Sequence, residues 1–230
     1  MVRTLKTDRA KRSLAAKVRR RQPTEVKSRI MEAALHEFAT YGYDGGTLRS
    51  IAKDAHVSIS LLIYHFKSKS DLWRDVIDDV FARMAAVEVI GEREFESAPA
   101  GEKLRAVVGR TVRLFSKYPA LHRLMTLEGH QMSDRLIWMC EKYIKRNSDA
   151  LCALIFRGQQ EGAVIEGDPA RIRLAITAMA AVPFSVGAEY QYLTKTSPFN
   201  PPEIEANIRL IEDLLFVRKP ATVRKRKART

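Results

Sequence analysis

The stretch Thr47 to Asp71, TLRSIAKDAHVSISLLIYHFKSKSD, constrains the fold of this chain more than any other. Leu48, Ile51, Ala52 and Ala55 recur at helical spacing, so a first short helix has one apolar face to bury. Thr47 is its natural N-cap, and Ser58 can cap a second helix. Val57 and Leu62 supply the apolar contacts that close the angle between the two helices. Two short helices joined by a tight turn make a helix-turn-helix. In that plan the second helix lies in the DNA major groove with its first residues towards base edges.

The flanking segments support the same reading. Pro23-Thr24-Glu25 opens a preceding helix with a capping hydroxyl and an acid in the first turn. Val26, Ile30, Ala33, Ala34, Phe38 and Tyr41 follow one face of it, Gly42 is its expected stop, and Asp44-Gly45-Gly46 turns the chain into Thr47. On the other side Ser68 and Asp71 form a capping-box pair for a long fourth helix through Leu72, Val76, Ile77, Val80, Phe81 and Met84.

The aromatic-rich Leu62-Ile63-Tyr64-His65-Phe66 followed by Lys67-Ser68-Lys69-Ser70-Asp71-Leu72, with Phe38-Ala39-Thr40-Tyr41-Gly42-Tyr43 upstream, resembles the DNA-binding domain of TetR-family transcriptional regulators. The likeness spans about Thr24 to Phe81; the rest of the chain resembles the family only in length and helical character. Two positions depart from the family pattern. His56 stands at the turn position usually held by glycine and must adopt the turn conformation against a side-chain penalty. Ile63 replaces an aromatic residue and removes one hydroxyl able to reach a phosphate.

The resemblance implies an all-α chain with an N-terminal three-helix DNA-binding domain and a larger helical ligand-binding and dimerisation domain. The boundaries fall at a basic, disordered arm over 1–23, the helix-turn-helix domain over 24–84, the helical body over 85–217 and a basic tail over 218–230. The net charge of +13 has its source in the two ends. Nine Lys or Arg against one Asp lie in 1–23, and seven basic residues with no acid lie in 218–230, so the region between them is slightly acidic. Such arms attract DNA without reading its sequence; for the tail, a plain solubility role stands equally.

Beyond the long fourth helix the periodicity lapses over Gly91 to Gly101, read as a loop. A helix follows from about Glu102 to Lys117, broken by Tyr118-Pro119, then a shorter piece up to Gly129. Asp134 is read as the cap of the next long helix, ended by Gly162; Asp168-Pro169 opens another, and Asn200-Pro201-Pro202-Glu203 a last one, with Glu203 completing a capping box. The apolar run Leu174 to Ala188 is too short to span a bilayer, contains Pro183 and reads as a buried helix. No secretory signal is visible, and no membrane association is expected. Cys140 and Cys152, twelve positions apart on one helix, would lie about 18 Å apart at ~1.5 Å per residue and cannot bridge. They fit a reducing cytoplasm as small buried side chains, and the chain is expected to be cytoplasmic and nucleoid-associated.

Base reading falls to Ser58, Ile59, Ser60 and Leu61, with His65 near the helix end. Serine hydroxyls pair with donor or acceptor edges, and Ile59 and Leu61 suit thymine methyls. The resemblance puts Thr47, Tyr64 and Lys69 on phosphates, with Arg49 and Lys67 nearby. Taken singly, Tyr64 as a core residue and Lys69 as a solvated one are equally good readings; only their joint spacing favours DNA. The last two helices are the expected homodimer surface, through Ile176, Met179, Ile204, Ile208, Ile211 and Leu215, although the stripe on the final helix also suits packing within the subunit. A groove reader needs two heads about one turn (~34 Å) or a multiple apart, so the operator should be a near-palindrome.

Met84, Phe115, Met125, Trp138, Met139, Tyr143 and Phe184 are adaptable enough to line a pocket for a small, largely apolar effector; any helical core also contains such residues. His122, Glu128 and His130 do not share a helical face, so no metal site is read there, and no nucleophile motif or phosphate-cradling glycine loop is present. No catalytic residue and no cofactor are expected. The function read is a sequence-specific regulator, a repressor released by its effector. The alternatives are a ligand-independent DNA-packaging protein using the basic arms, and an enzyme with an appended helix-turn-helix, for which no residue can be named.

Overall fold

A computed structural model of the chain describes residues 3–88 and 97–217, with side chains over 24–84 and 97–217. The described residues are helical apart from turns and one isolated bridge, as an all-α chain requires. They fall into two compact units, one reaching Ala85 and also holding Ala120–Met139, the other holding the rest up to Pro119 and from Cys140 onward.

In the first unit α1 (Arg3–Gly45) packs on α2 (Leu48–Asp54), and α2 on α3 (Ile59–Phe66). The helix axis of α1 is interrupted at Gly42, whose φ of 70° and ψ of 178° only glycine adopts readily. The predicted stop is therefore present as a kink. Its start differs from expectation, since helical backbone begins at Arg3 where the sequence reads as a disordered arm. The segment is rich in Ala, Leu, Lys and Arg and has no glycine before Pro23, a composition that favours helix. Ile30, Ala34, Phe38, Ile51, Ala52, Leu62 and Phe66 are buried, and α4 (Lys69–Glu88) adds Leu72, Trp73, Val76 and Ile77. Each large side chain so buried contributes on the order of 1.5–3 kcal/mol. The unit is completed by α6 (Pro119–Gly129) from Ala120 onward and α7 (Asp134–Met139).

In the second unit α5 (Ala100–Lys117) packs on α8 (Lys145–Gln160), α9 (Pro169–Ser185) and α11 (Pro201–Leu215), and α8 and α11 both pack on α9. A π-helical turn, Cys140–Ile144, leads into α8, so the helix carrying both cysteines is not uniform. Both thiols are free and half-buried rather than fully enclosed. The approach at the start of α5 and the end of α8 is close. A Cβ on Gly158 would stand 2.6 Å from Val164 Cγ2, and one on Gly101 2.7 Å from Ala163 Cβ, so glycine is required by space. Past Gly162 the chain pairs with the end of α11 through an antiparallel bridge, Val164 with Phe216. The buried Gln159 amide donates to the carbonyls of Ile165 and Gly167 at 3.0 and 2.9 Å and fixes that crossing.

Several predicted caps change hands. Ser133 rather than Asp134 caps α7, its Oγ accepting from the Leu136 N–H at 3.1 Å. Asp168 caps α9 as expected, accepting from Ala170 N–H at 2.8 Å. Asn200 makes no side-chain cap, and Glu203 does not close a box: it accepts the Tyr190 hydroxyl at 2.8 Å, a contact across 13 residues that outcompetes the local one. That bond and the nearby negative charge hold the Tyr190 phenol above its ordinary pKa. The run around Pro183 is not one buried helix. The chain bends by 74° between α9 and α10 (Gly187–Thr194), and Leu174, Val182 and Val186 are exposed while Ile176, Ala180 and Phe184 are buried. No single helix among the described residues is long and apolar enough to cross a membrane. The loop read over Gly91–Gly101 is described only from Ser97, and the basic tail from Arg218 lies outside the described residues.

Candidate nucleic-acid interface

Three caps and one buried carboxylate build the helix-turn-helix. Thr47 Oγ1 accepts from the Ser50 N–H and Ser58 Oγ from the Leu61 N–H, each at 3.1 Å, so both predicted N-caps form. Between α2 and α3 the backbone turns at His56 with φ 54°, the strained conformation the sequence demanded of a residue with a Cβ. Ser68 Oγ accepts from the Asp71 N–H at 3.0 Å and donates to its carboxylate at 2.6 Å, starting α4 as predicted.

The residue missed by the sequence reading is Glu37. It is only 3% exposed, and its two oxygens accept from the Thr47 N–H and the Ser50 hydroxyl, both at 3.0 Å. A negative charge at the N-terminus of α2 is stabilised by the helix dipole and leaves neither donor unpaired. Glu37 thereby ties α1 to α2 and fixes the helix pair as a unit. Its signal in the sequence was an acid next to Phe38 on the face carrying Ala34, ten residues before a helix cap.

With Leu62 and Phe66 turned inward, α3 presents its other side. Ser58, Ile59, Ser60, Leu61, Ile63 and Tyr64 are exposed, Tyr64 at 80%. Four large apolar or aromatic side chains exposed on eight residues have no role in the fold of this unit. The core reading of Tyr64 is thereby set aside. His65 is half-buried with its ring 5.4 Å from that of Tyr64. Thr47, Arg49 and Lys67 are exposed, and Lys67, at φ 55°, ends α3 in a left-handed turn. Lys69 is half-buried rather than simply solvated. Its ammonium donates to the Asp44 carbonyl at 3.3 Å and stands 4.7 Å from the Tyr43 ring centre.

Tyr43 joins this edge to α6 and α7. Arg135 lies 4.0 Å over its ring, donates to the buried Glu128 carboxylate at 3.1 Å and reaches the exposed Asp44 carboxylate at 3.4 Å. Glu128 is thus committed to an ion pair, His130 Nδ1 contacts the Leu127 carbonyl, and burial lowers the pKa of the half-buried His122. Among the described residues no group of His, Cys, Asp and Glu is arranged to hold a metal.

The seven residues read as a pocket are divided between the two units. Met84, Met125, Trp138 and Met139 belong to the first unit, and Phe115, Tyr143 and Phe184 to the second. Trp138 lines a cavity of about 250 Å³ in the first unit, Met139, Phe115 and Phe184 are buried, and Met84, Met125 and Tyr143 are half-buried. The dimer reading needs a larger correction. Ile176, Ile208, Ile211 and Leu215 are buried inside their own subunit, Ile211 fully, and Met179 and Ile204 only partly exposed. The uninterrupted stripe on α11 faces α5 and α9 because a helix laid on two neighbours turns its most apolar face to them. Among the exposed apolar residues are a second, thinner stripe on α11, Leu210 and Leu214, and Leu174 and Val182 on α9, with Val186 just past its end.

Residues 30–76 match the family model for bacterial regulatory proteins of the tetR family. The chain is 24% identical over 150 residues to the HTH-type transcriptional repressor SCO4008 of Streptomyces coelicolor, covering 65% of this chain and 73% of that protein. It is 27% identical over 143 residues to the fatty acid metabolism regulator protein of Bacillus subtilis, covering 62% and 73%. Among solved structures, a bacterial regulatory protein in the tetR family from Rhodococcus RHA1 shares the fold with a TM-score of 0.65, at 20% identity over 84% of this chain and 98% of that one.

Proposed function

The chain belongs to the TetR family of bacterial regulatory proteins, and from that premise we propose that it is a transcriptional repressor that reads a near-palindromic operator as a homodimer. The observation that carries the reading is the exposed face of α3, held by two caps and Glu37 with four large side chains outward. In the groove, Ile59 and Leu61 meet thymine methyls, and Ser58 and Ser60 offer hydroxyls to base edges, the Ser58 O–H remaining available to donate while one of its lone pairs serves the cap. Thr47, Arg49, Tyr64, Lys67 and Lys69 hold the phosphates, with His65 beside Tyr64. Because Lys69 is already held by Asp44 and Tyr43, it is pre-set, and less freedom is lost when DNA binds.

The homodimer forms on the exposed stripes of α9 and α11, through Leu174, Val182, Val186, Leu210 and Leu214, and a small, largely apolar effector bound in the helical body releases the operator. For release, that effector must bind the non-operator state more tightly; one indifferent to the two states shifts nothing. The protein works on chromosomal DNA in the cytoplasm, as a binding protein rather than an enzyme.

Fluorescence anisotropy with the DNA upstream of the chain's own gene tests this. Tight binding is expected, with Tyr64→Ala weakening it about tenfold or more, the scale of one lost charge-assisted contact. Binding no tighter than to random duplex, and abolished by removing residues 1–23 and 218–230, would instead support a DNA-packaging protein.

A further inference from the structure

The cavity in the first unit has walls that the DNA-reading role does not use. About 250 Å³ in volume, it is lined by Tyr43, Ser70, Trp73, Arg74, Asp134, Arg135 and Trp138. Its aromatic surfaces meet at angles rather than stacking flat. Trp73 and Trp138 lie 5.7 Å apart at 53°, and Tyr43 meets Trp73 edge-on at 6.1 Å. Arg74 stands 5.7 Å over the Trp138 ring and Arg135 4.0 Å over Tyr43, so two guanidinium groups border an aromatic lining. Trp73 is 1% exposed, and its indole N–H is buried with no acceptor among the described residues. A buried donor left unpaired is costly, and a bound acceptor would recover that cost.

The lining's polar groups are two guanidiniums, the two indoles, the Ser70 and Tyr43 hydroxyls and the Asp134 carboxylate. Arg135 already holds Glu128 and Asp44, so among the described residues the Arg74 guanidinium and the buried Trp73 N–H are the donors left without a carboxylate. Flat apolar walls with a surplus of donors fit a flat molecule carrying a carboxylate. The volume, below the ~300 Å³ where sites for drug-sized ligands begin, restricts it to about one ring. We propose that this cavity binds a small aromatic carboxylic acid, its ring against Trp73 and Trp138 and its carboxylate on Arg74 and Arg135. This is a site in the DNA-reading unit itself, separate from any pocket in the helical body.

The consequence runs through Arg135. Its bond to the exposed Asp44 is long, at 3.4 Å, while its bond to buried Glu128 is shorter, at 3.1 Å. An incoming carboxylate displaces Asp44 first. Lys69 is held by the backbone carbonyl of the same Asp44 and by the Tyr43 ring, so a ligand that draws Arg135 from the Asp44 carboxylate and off the Tyr43 ring shifts the segment that seats a phosphate-binding lysine. That consequence rests on the proposed DNA contact; the binding itself does not.

The chain's only two tryptophans both line the cavity, so the intrinsic tryptophan emission of the whole protein reports on this site alone. Titrated with benzoate, the full chain is expected to show a saturable emission change, with benzyl alcohol, which lacks the charge, binding about tenfold more weakly. Arg74 is exposed, so Arg74→Gln should fold normally and weaken benzoate by a similar factor. In Trp138→Phe the one remaining indole N–H resonance, that of Trp73, is expected to move on addition of benzoate. An emission that does not saturate, benzyl alcohol equal to benzoate, an unaltered titration in Arg74→Gln or a fixed Trp73 resonance would each overturn the site. None of these measurements involves DNA, so they succeed or fail independently of the operator reading. A parallel anisotropy experiment, expected to show weaker operator binding with benzoate present, tests the link to Lys69.

Discussion

The two units of this molecule are held by different kinds of force. In the DNA-reading unit, the helix-turn-helix is defined by polar groups: Thr47, Ser58 and Ser68 as caps acting over three residues, and Glu37 as a buried clamp acting over ten to thirteen. In the body, helices are defined by apolar faces and by close approach at Gly101 and Gly158, with polar clamps of long range such as Arg113 on Glu205 and Asn207 on the Met179 carbonyl. There Glu161 accepts from the N–H groups of Ala100 and Gly101 at 2.8 and 3.1 Å, capping α5 from 60 residues away because Pro99 offers no side chain to do it. The first arrangement adds precise local geometry to a buried apolar core of the unit's own. The second supplies stability and leaves the geometry to packing.

The contrast can be broken or sharpened by substitution. The largest effect is expected in the body. Ile211→Ala, at a fully buried position, should lower unfolding free energy by about 2–5 kcal/mol in denaturant melts. Leu214→Ala, three residues on but 53% exposed, should barely change the melt at high protein concentration and should shift the sedimentation of the protein towards monomer. If the two variants behaved alike, the division of α11 into an inward and an outward stripe would be wrong.

Next comes the clamp of the reading unit. Glu37→Ala strands the Thr47 N–H and the Ser50 hydroxyl and should cost about 1–3 kcal/mol. Hydrogen exchange is expected to quicken over α2 and α3 while the protection of α5 and α9 holds. A smaller effect, about 1 kcal/mol, is expected from Ser58→Ala by loss of one N-cap. Uniform loss of protection through both units would contradict the proposed localisation.

The smallest effect is one of pH. Backbone N–H groups of Ala100 and Gly101 hold the Glu161 carboxyl below its ordinary pKa, so the folded state keeps it charged to lower pH than the unfolded chain does. Its contribution is fully present above the unfolded value and is lost as pH falls through the folded one. Glu161→Gln is therefore expected to lower stability near neutrality and to flatten the acid limb of the stability curve. An acid limb as steep as that of the native chain would assign the pH dependence to other carboxylates.

The same contrast explains what could be read from the sequence. Features of the reading unit rest on neighbours within about four positions, and Thr47, Ser58, Ser68, Gly42 and the strained His56 were all legible. What was hidden there, Glu37 on Thr47 and Arg135 on Tyr43 and Asp44, spans ten and about ninety residues. In the body the helices were legible from periodicity, but not the partner each face meets. An apolar stripe such as Ile204, Ile208, Ile211 and Leu215 looks the same whether a neighbouring helix or a second subunit covers it, and here the subunit's own α5 and α9 do. Glu203 was placed on a local cap for the same reason, and the Tyr190 hydroxyl claimed it.

The central claim, that the exposed face of α3 enters the major groove in two copies, is tested most directly by dimethyl sulfate protection of guanine N7 on the upstream DNA. The account predicts two protected patches about one helical turn or a multiple apart, both lost in Tyr64→Ala while its melting temperature stays unchanged. Binding that leaves every N7 open to methylation, or protection spread evenly along the duplex, would contradict it.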